Sequence, residues 1–312
     1  MTLTRRRLLA AGAWVPVALP AAAKSRRGYA KLLDAWNTGG GNQPGDFSLP
    51  DDLAVGPDGT VYVVASGGVY RFAAKGTFLA GWDDPAWVLG PQSVGVAPDG
   101  TVYVGYGADV WMFSAEGVFL RKWDRAGAGN GQLRRASGIG VAPGGRVYVA
   151  DSAADRVLRF DKDGAYELGW GGAGSGDGEF RGAVGVSVAA GGAVFVADEG
   201  NNRVQRFDRD GGFELAFGPG SGGKKQRLSE PRSVSASPDG SVFVVDGGRD
   251  RFRRYTADGE LLGGWHKRCQ PRAWFCWDWW PQAVAAAPDR TVYTLDGWGP
   301  VRRVKVPAYP KG

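Results

Sequence analysis

The chain has 312 residues, with 52 glycines, 13 tryptophans, two cysteines and a single histidine. Its formal net charge is +6, and three arginines in the first 23 residues account for half of it. The remaining surplus of +3 is too small to favour a nucleic-acid-binding protein. One histidine also excludes a zinc centre built from several histidines.

The first 23 residues have the pattern of an export signal. Arg5, Arg6 and Arg7 precede an uncharged apolar run that ends in Ala21-Ala22-Ala23. A basic start, an apolar stretch and small residues at the end are typical of a cleaved signal peptide, here of the twin-arginine type. We therefore expect residues 1–23 to be a signal and residues 24–312 to form one exported domain, periplasmic or extracellular. An uncleaved anchor is the alternative, although Pro16 and Pro20 interrupt the run.

Residues 192–217 contain the pattern that the rest of the chain repeats. Three apolar runs, Val194–Val196, Val204–Phe207 and Phe213–Phe217, alternate with a period near two. Glycine, asparagine and aspartate separate them, which predicts three consecutive antiparallel strands joined by tight turns.

The pattern occurs six times, with its first turn spaced 41 to 50 residues apart. Each turn is preceded by an apolar strand with a small residue at one fixed place and followed by a β-branched or aromatic strand. The turns are Pro57-Asp58-Gly59, Pro98-Asp99-Gly100, Pro143-Gly144-Gly145, Gly191-Gly192, Pro238-Asp239-Gly240 and Pro288-Asp289-Arg290. A short-stranded repeat of this period predicts a β-propeller with six four-stranded blades.

The two ends of the chain are predicted to share the last blade. The fourth strand of the first five repeats ends in an aromatic residue, at Trp82, Trp123, Trp170, Phe217 and Trp265. The sixth repeat stops after its third strand, Val301–Val306, whereas the segment 32–36 ends in Trp36. An N-terminal strand that completes the last blade would close the ring and remove two open sheet edges.

The third and fourth repeats resemble the NHL repeat. The matching features are Ala-Asp after the second strand and an Arg-Val-x-Arg-Phe third strand, seen at residues 147–160 and 196–207, each followed directly by an Asp-x-Asp-Gly turn. The resemblance implies a propeller over about residues 29–306. It does not imply one function, because NHL-like propellers include interaction scaffolds, sensor domains, RNA binders and a few lyases or hydrolases.

Candidate binding residues precede each innermost strand, on the face where the strands enter. We expect them to surround one opening of the central channel: Asp51, Gln92, Ser137, Val184, Arg232 and Gln282. We call this set the mouth ring. Its variety contrasts with the repetition elsewhere, although a solvated rim would also explain polar residues there.

A second ring of acids follows the second strand, at Asp151, Asp198, Asp246 and Asp296. Four carboxylates on one face allow a calcium site. The same Asp belongs to the repeat, however, and its side chain can accept backbone N–H groups of a turn, which favours a structural role. Asp51 and Glu199 remain as weak candidate metal ligands.

The loop at residues 266–280 differs from the glycine-rich loops at the equivalent places. It contains both cysteines, and in an exported protein we expect Cys269 and Cys276 to form a disulfide. Its five aromatic residues would form either a binding lip at the mouth or a plug between blades: Trp274, Phe275, Trp277, Trp279 and Trp280.

Our leading hypothesis is a non-enzymatic binding or scaffold protein that contacts a protein partner or a small apolar or glycan ligand at the mouth. We identify no catalytic residue and predict no cofactor, no nucleic-acid partner, no stable membrane insertion after signal cleavage, and a monomer. The alternative is a divalent-metal-dependent hydrolase or lyase resembling lactonase-like six-bladed propellers, with Asp51 and Glu199 as ligands.

Overall fold

The computed structural model describes residues 31–36, 45–84, 87–88, 90–124, 127, 129–218, 227–249, 251–265, 281–297 and 300–306. Within these ranges the chain forms 24 strands in six four-stranded antiparallel sheets, arranged as the predicted propeller. The predicted signal, residues 1–23, and the aromatic loop, residues 266–280, lie outside the described residues. No helix in the described part of the chain has the length and apolar character needed to cross a membrane.

The strands follow the blades in chain order. Strand β1 is Lys31–Trp36; blade 1 has β2 (Pro50–Val55), β3 (Val61–Ala65), β4 (Gly68–Phe72) and β5 (Phe78–Trp82). Blade 2 has β6 (Ser93–Val96), β7 (Val102–Tyr106), β8 (Asp109–Phe113) and β9 (Phe119–Trp123). Blade 3 has β10 (Ala136–Val141), β11 (Val147–Asp151), β12 (Arg156–Phe160) and β13 (Tyr166–Gly171).

Blade 4 has β14 (Ala183–Val188), β15 (Val194–Asp198), β16 (Arg203–Phe207) and β17 (Phe213–Phe217). Blade 5 has β18 (Pro231–Ala236), β19 (Ser241–Asp246), β20 (Arg251–Thr256) and β21 (Leu261–Trp265). Blade 6 has β22 (Pro281–Ala286), β23 (Thr291–Asp296) and β24 (Val301–Lys305). Two single-turn 3-10 helices, Glu199–Asn201 and Gly247–Arg249, follow β15 and β19.

The sixth blade is completed by the N-terminal strand, as predicted. Strand β1 pairs antiparallel with β24, and Trp36 lies opposite Val301. The sheet order is β1-β24-β23-β22, so the first strand of the chain is the outermost strand of the last blade. The ring is therefore closed by hydrogen bonds between the two ends of the chain.

In blades 1, 2, 5 and 6 the repeated first turn is stabilised by its own aspartate. In blade 1, the Asp58 carboxylate accepts the Thr60 N–H at 2.9 Å and the Thr60 hydroxyl at 2.7 Å. Gly59 follows with a φ of +84°, a conformation that side chains disfavour. The Pro-Asp-Gly signal thus marks the turn between the first and second strands because both its acid and its glycine are needed there.

The repeated aromatic residue lies against a glycine of the neighbouring blade. A Cβ atom on Gly76 of blade 1 would lie 2.5 Å from the Trp36 ring, so only glycine leaves room for the indole. The same pairing joins the other blades, between Gly117 and Trp82, Gly164 and Trp123, Gly211 and Trp170, and Gly259 and Phe217. Each pair packs the end of one blade onto the turn of the next.

The apolar core is divided among the interfaces between blades, which we call seams. One cluster contains Val61 and Phe72 from blade 1 together with Tyr293 and Leu295 from blade 6. Another contains Tyr148 from blade 3 and Phe207 from blade 4. This distribution allows a chain of this length to form one domain without a single large core.

Candidate functional site

Buried aspartates hold the loops that lead into the innermost strands. Asp151 accepts the backbone N–H groups of Arg134 and Arg135 at 3.1 and 2.9 Å. Asp198 accepts the N–H of Arg181 at 2.8 Å, and Asp246 accepts that of Ser229 at 2.6 Å. These bonds fix the chain a few residues before the mouth ring.

The same carboxylates are also bound by side chains of their own blade. Asp198 is fully buried and accepts Arg203 Nε at 2.7 Å, Gln205 Nε2 at 3.1 Å and Asn201 Nδ2 at 2.9 Å. Asp246 accepts the Nε groups of Arg251 and Arg253. These hydrogen bonds support the structural interpretation of the second acidic ring.

The six residues of the mouth ring lie around one cavity. All six line one opening of the central channel, a cavity of about 240 Å³: Asp51, Gln92, Ser137, Val184, Arg232 and Gln282. The innermost strands β2, β6, β10, β14, β18 and β22 form the wall of this cavity. The side chains come from six different blades, so no local sequence motif contains them.

The opposite opening is apolar. It has a volume of about 260 Å³ and is lined by prolines of the first turns together with valines and alanines of the innermost strands. The prolines are Pro57, Pro98, Pro143, Pro238 and Pro288. We call this end the proline opening. The polar and charged side chains of the channel are therefore concentrated at the mouth.

Several mouth residues are fixed by neighbours. Gln92 Oε1 accepts the Gly107 N–H at 3.3 Å, and the hydroxyls of Ser137 and Ser152 are in hydrogen-bond contact. Arg232 forms ion pairs with Glu199 at 3.4 Å and Glu230 at 3.6 Å. Glu199, a predicted metal candidate, thus lies beside a guanidinium.

Asp52 is a site residue that sequence reasoning missed. It lines the same cavity next to Asp51. Its Oδ2 accepts the Val94 N–H of blade 2 at 3.1 Å, across the seam, and its Oδ1 accepts the N–H of Leu53 at 2.8 Å. At the same place the other innermost strands have small residues: Ser93, Gly138, Gly185, Ser233 and Ala283. A comparison of the repeats at that position would have singled out the one acid.

The two neighbouring acids have shifted proton affinities. Burial raises the pKa of Asp52 from its ordinary 3.8 to about 7; the two backbone hydrogen bonds oppose the shift and the nearby Asp51 adds to it. Burial also raises the pKa of Asp51 to about 6, against the attraction of the Arg135 guanidinium. The mouth can therefore exchange protons near neutral pH.

The remaining predicted contact residues are not part of this geometry. Trp274, Phe275, Trp277, Trp279, Trp280 and the expected Cys269–Cys276 disulfide lie outside the described residues. Among the residues that are described, no three His, Cys, Asp or Glu side chains come together as a metal site. Asp51 and Glu199 belong to different blades and were expected as ligands only in the metal-dependent alternative.

Comparison with known families supports the repeat assignment. The family model of the NHL repeat matches residues 180–207, which span β14, β15 and β16 of blade 4. This confirms the resemblance seen in that repeat. Among curated proteins, no sequence matches the chain.

Solved structures with the same fold have different roles. A streptogramin B lyase shares 13% identity at a TM-score of 0.63, covering 88% of this chain and 98% of the lyase. A chain of the mitotic checkpoint complex shares 15% identity at a TM-score of 0.61, covering 96% of this chain and 99% of its own.

A chain of the nidogen–laminin complex shares 15% identity at a TM-score of 0.56, covering 70% of this chain and 81% of its own. At these identities the similarity establishes the fold and leaves the function to the residues of the site. The chain is a six-bladed β-propeller whose fourth blade matches the NHL repeat.

Proposed function

We propose that this protein is an exported, non-enzymatic binding propeller that contacts its ligand or partner at the mouth. The observation that carries the proposal is the mouth ring, in which one repeat position holds five residue types across the six blades, differing in charge and size. Turns, seam aromatics and buried aspartates recur from blade to blade because the fold needs them. The fold places no such demand on the mouth ring, so its variety is best explained by recognition.

The geometry of the mouth is suited to binding. The polar groups line a half-open cavity and are carried by strands of the propeller, which reduces the entropy lost when a ligand is fixed. In the sequence, the aromatic loop connects Trp265, at the end of β21 in blade 5, to Pro281, at the start of β22 in blade 6. Pro281 is followed directly by Gln282 of the mouth ring. We propose that loop 266–280 adds contacts there, for a protein partner or for an apolar or glycan group.

The comparisons provide supporting precedent. Chains of this fold occur in the nidogen–laminin and mitotic checkpoint complexes, both assemblies of proteins. Export rests on the pattern of residues 1–23. A periplasmic or extracellular binding protein is thus consistent with the signal, the fold and the polar mouth.

A fragment screen tests the proposal. Wild-type protein would be screened by ligand-observed NMR against cationic, anionic, sugar and aromatic fragments. Ser137→Trp would fill the mouth, and Ala190→Trp is the matched control because Ala190 is exposed and lines the proline opening. We expect fragments that bind the wild type to be lost in Ser137→Trp and kept in Ala190→Trp. The absence of hits, or equal loss in both variants, would contradict binding at the mouth.

The metal-dependent hydrolase or lyase remains the alternative. Elemental analysis of the purified protein separates the two functions. A stoichiometric divalent cation that is lost in Asp51→Asn would favour the enzyme, because Asp51 is the mouth carboxyl assigned as its ligand. We expect no such cation in the binding protein proposed here.

A further inference from the structure

We propose that the mouth recognises an organic ammonium group, held by Asp51 and Asp52 of the first blade. The proposal rests on the proposed function and names the chemical class of its ligand. The two carboxyls are adjacent in β2, both line the 240 Å³ cavity, and they lie at the end where the polar side chains are concentrated.

The charges around the mouth favour a cation. Among the described residues that line the cavity, the charged side chains are Asp51, Asp52 and Arg232; Arg135 lies near Asp51, and Glu199 and Glu230 lie near Arg232. Arg232 is already engaged by Glu199 and Glu230, which leaves its charge compensated. The lumen itself therefore presents excess negative charge on the blade 1 side, where field lines are focused by the walls of the channel.

The charge of Asp52 is not needed by the fold. In blade 5, the Ser233 hydroxyl occupies the same position and accepts the Val284 N–H at 3.2 Å, just as Asp52 accepts the Val94 N–H at 3.1 Å. A neutral hydroxyl can thus accept the backbone N–H across the seam, so this hydrogen bond does not require a charge. A half-buried carboxylate adds a desolvation cost without adding a bond across the seam, which points to a role for its charge.

The proton affinities agree with this role. Asp52, with a pKa of about 7, accepts hydrogen bonds from the backbone N–H groups of Leu53 and Val94 and lies beside the Asp51 carboxyl. The Arg135 guanidinium attracts the Asp51 carboxylate and opposes the rise in its pKa. An incoming ammonium would stabilise both carboxylates and lower their pKa values again. Binding should then release protons and become tighter as the pH rises from about 5 to about 8.

The cavity favours an organic cation over a bare metal ion. Calcium takes six to eight oxygen ligands, typically from several carboxylates. The described part of the mouth offers two adjacent carboxyls, and the cavity of about 240 Å³ leaves space for several non-hydrogen atoms. An ammonium group has three N–H donors, which suits two carboxyls and a further acceptor in the wall.

Isothermal titration calorimetry at about pH 8 tests the inference with three probes of equal chain length. The probes are n-butylammonium chloride, n-butanol and sodium butyrate, at constant ionic strength. We expect wild-type protein to bind butylammonium at least about ten-fold more tightly than butanol, and butyrate more weakly still. Equal binding of butyrate and butylammonium, or no binding of butylammonium, would overturn the inference.

Matched variants assign the effect to the two carboxyls. Asp52→Ser removes the charge and keeps a hydroxyl that can accept the Val94 N–H, and Asp51→Asn removes the neighbouring charge. Asp155→Asn is the control, because Asp155 also accepts a backbone N–H of the next blade, that of Gly182 at 2.6 Å, and does not line the cavity. We expect Asp52→Ser and Asp51→Asn each to weaken butylammonium binding about ten-fold and the control to leave it unchanged. Folded Asp52→Ser and Asp51→Asn proteins that bind like the wild type would contradict the assignment.

The result is distinguishable from failure of the proposed function. If other fragments bind at the mouth and butylammonium does not, the ammonium class is wrong and the binding function stands. If the fragment screen finds no compound that binds at the mouth, both the ammonium inference and the proposed function are wrong.

Discussion

The hydroxyl of Tyr293 donates a hydrogen bond of 3.0 Å to the carbonyl oxygen of Ala74, 219 residues away. This bond crosses the seam between the last blade and the first, where Arg303 Nη1 donates to the same carbonyl at 3.2 Å. Equivalent tyrosines make the same bond at internal seams, from Tyr62 to Ala115, Tyr103 to Lys162 and Tyr148 to Arg209. The seam that closes the ring is thus built like three of the internal seams, whereas Phe195 and Phe243 take the place of the tyrosine in blades 4 and 5.

Tyr293→Phe should therefore cost about as much stability as Tyr103→Phe. Each variant removes one hydrogen bond across a seam, worth about 1 kcal/mol in net free energy of unfolding. Urea denaturation of both variants measures the loss. A cost near zero for Tyr293→Phe, alongside the expected cost for Tyr103→Phe, would show that the closing bond does not form in solution.

The contact between Gly76 and Trp36 predicts that alanine costs more stability at Gly76 than at Gly59. Gly76 and Gly59 have similar φ angles, +89° and +84°, so alanine strains both backbones by about 1 kcal/mol. A Cβ on Gly76 would also lie 2.5 Å from the Trp36 ring, whereas the nearest atom to one on Gly59 is 3.8 Å away. We expect Gly76→Ala to cost roughly 2–4 kcal/mol and Gly59→Ala about 1 kcal/mol.

A double-mutant cycle with Trp36→Ala checks the cause. In that background the ring is absent, and the cost of Gly76→Ala should fall to that of Gly59→Ala. An unchanged cost would mean that Trp36 does not pack on the turn and that the N-terminal strand does not close the ring as described.

The buried aspartate of blade 4 predicts a large loss of stability. Asp198→Asn leaves Arg203 buried without its carboxylate, which should cost about 3–5 kcal/mol. Asp163→Asn is the control, because Asp163 is half-exposed and lies 3.9 Å from Arg121, a surface pair worth less than about 1 kcal/mol. Thermal and urea unfolding distinguish them, and similar small losses in both variants would contradict the buried network.

Asp52 predicts how stability depends on pH. Its pKa is raised in the folded protein, so the fold binds its proton more tightly than the unfolded chain does. The stabilisation is complete below about pH 4 and is lost as the pH rises through about 7. A shift from 3.8 to about 7 limits the effect to about 4 kcal/mol.

Asp52→Ser should remove that dependence. We expect the variant to equal or exceed the wild type in unfolding free energy at about pH 8, with the difference shrinking as the pH falls towards about 4. Urea titrations at several pH values measure it. Parallel pH profiles for the two proteins would contradict the raised pKa.

The fold could be predicted because its signals are local and repeated. Pro57-Asp58-Gly59 is followed by a turn in which Asp58 binds Thr60, so the motif contains its own physical reason. The closing role of Trp36 also followed from counting, since five aromatics required a sixth. The mouth ring followed from strand direction, which places the same repeat position of every blade at one opening.

Asp52 was missed because the contact that distinguishes it is made with a residue of the next blade. In the sequence its neighbours are Asp51 and Leu53, whereas in the structure its carboxylate accepts a hydrogen bond from the backbone N–H of Val94, 42 residues further on. A register irregularity between Pro50 and Asp52 accompanies the two adjacent acids at the cavity. Strict alternation along β2 would have predicted only one of them there.

By itself, the sequence determined the number of blades, their turns and the way in which the ends meet. These properties follow from hydrogen bonds and steric limits within a few residues, repeated until the ring is full. Only the tertiary structure decided the chemistry of the mouth: the burial of Asp52, the pairing of Arg232 with Glu199 and the proton affinities near neutrality. Those depend on desolvation and on charges from other blades, which meet only when the ring is closed.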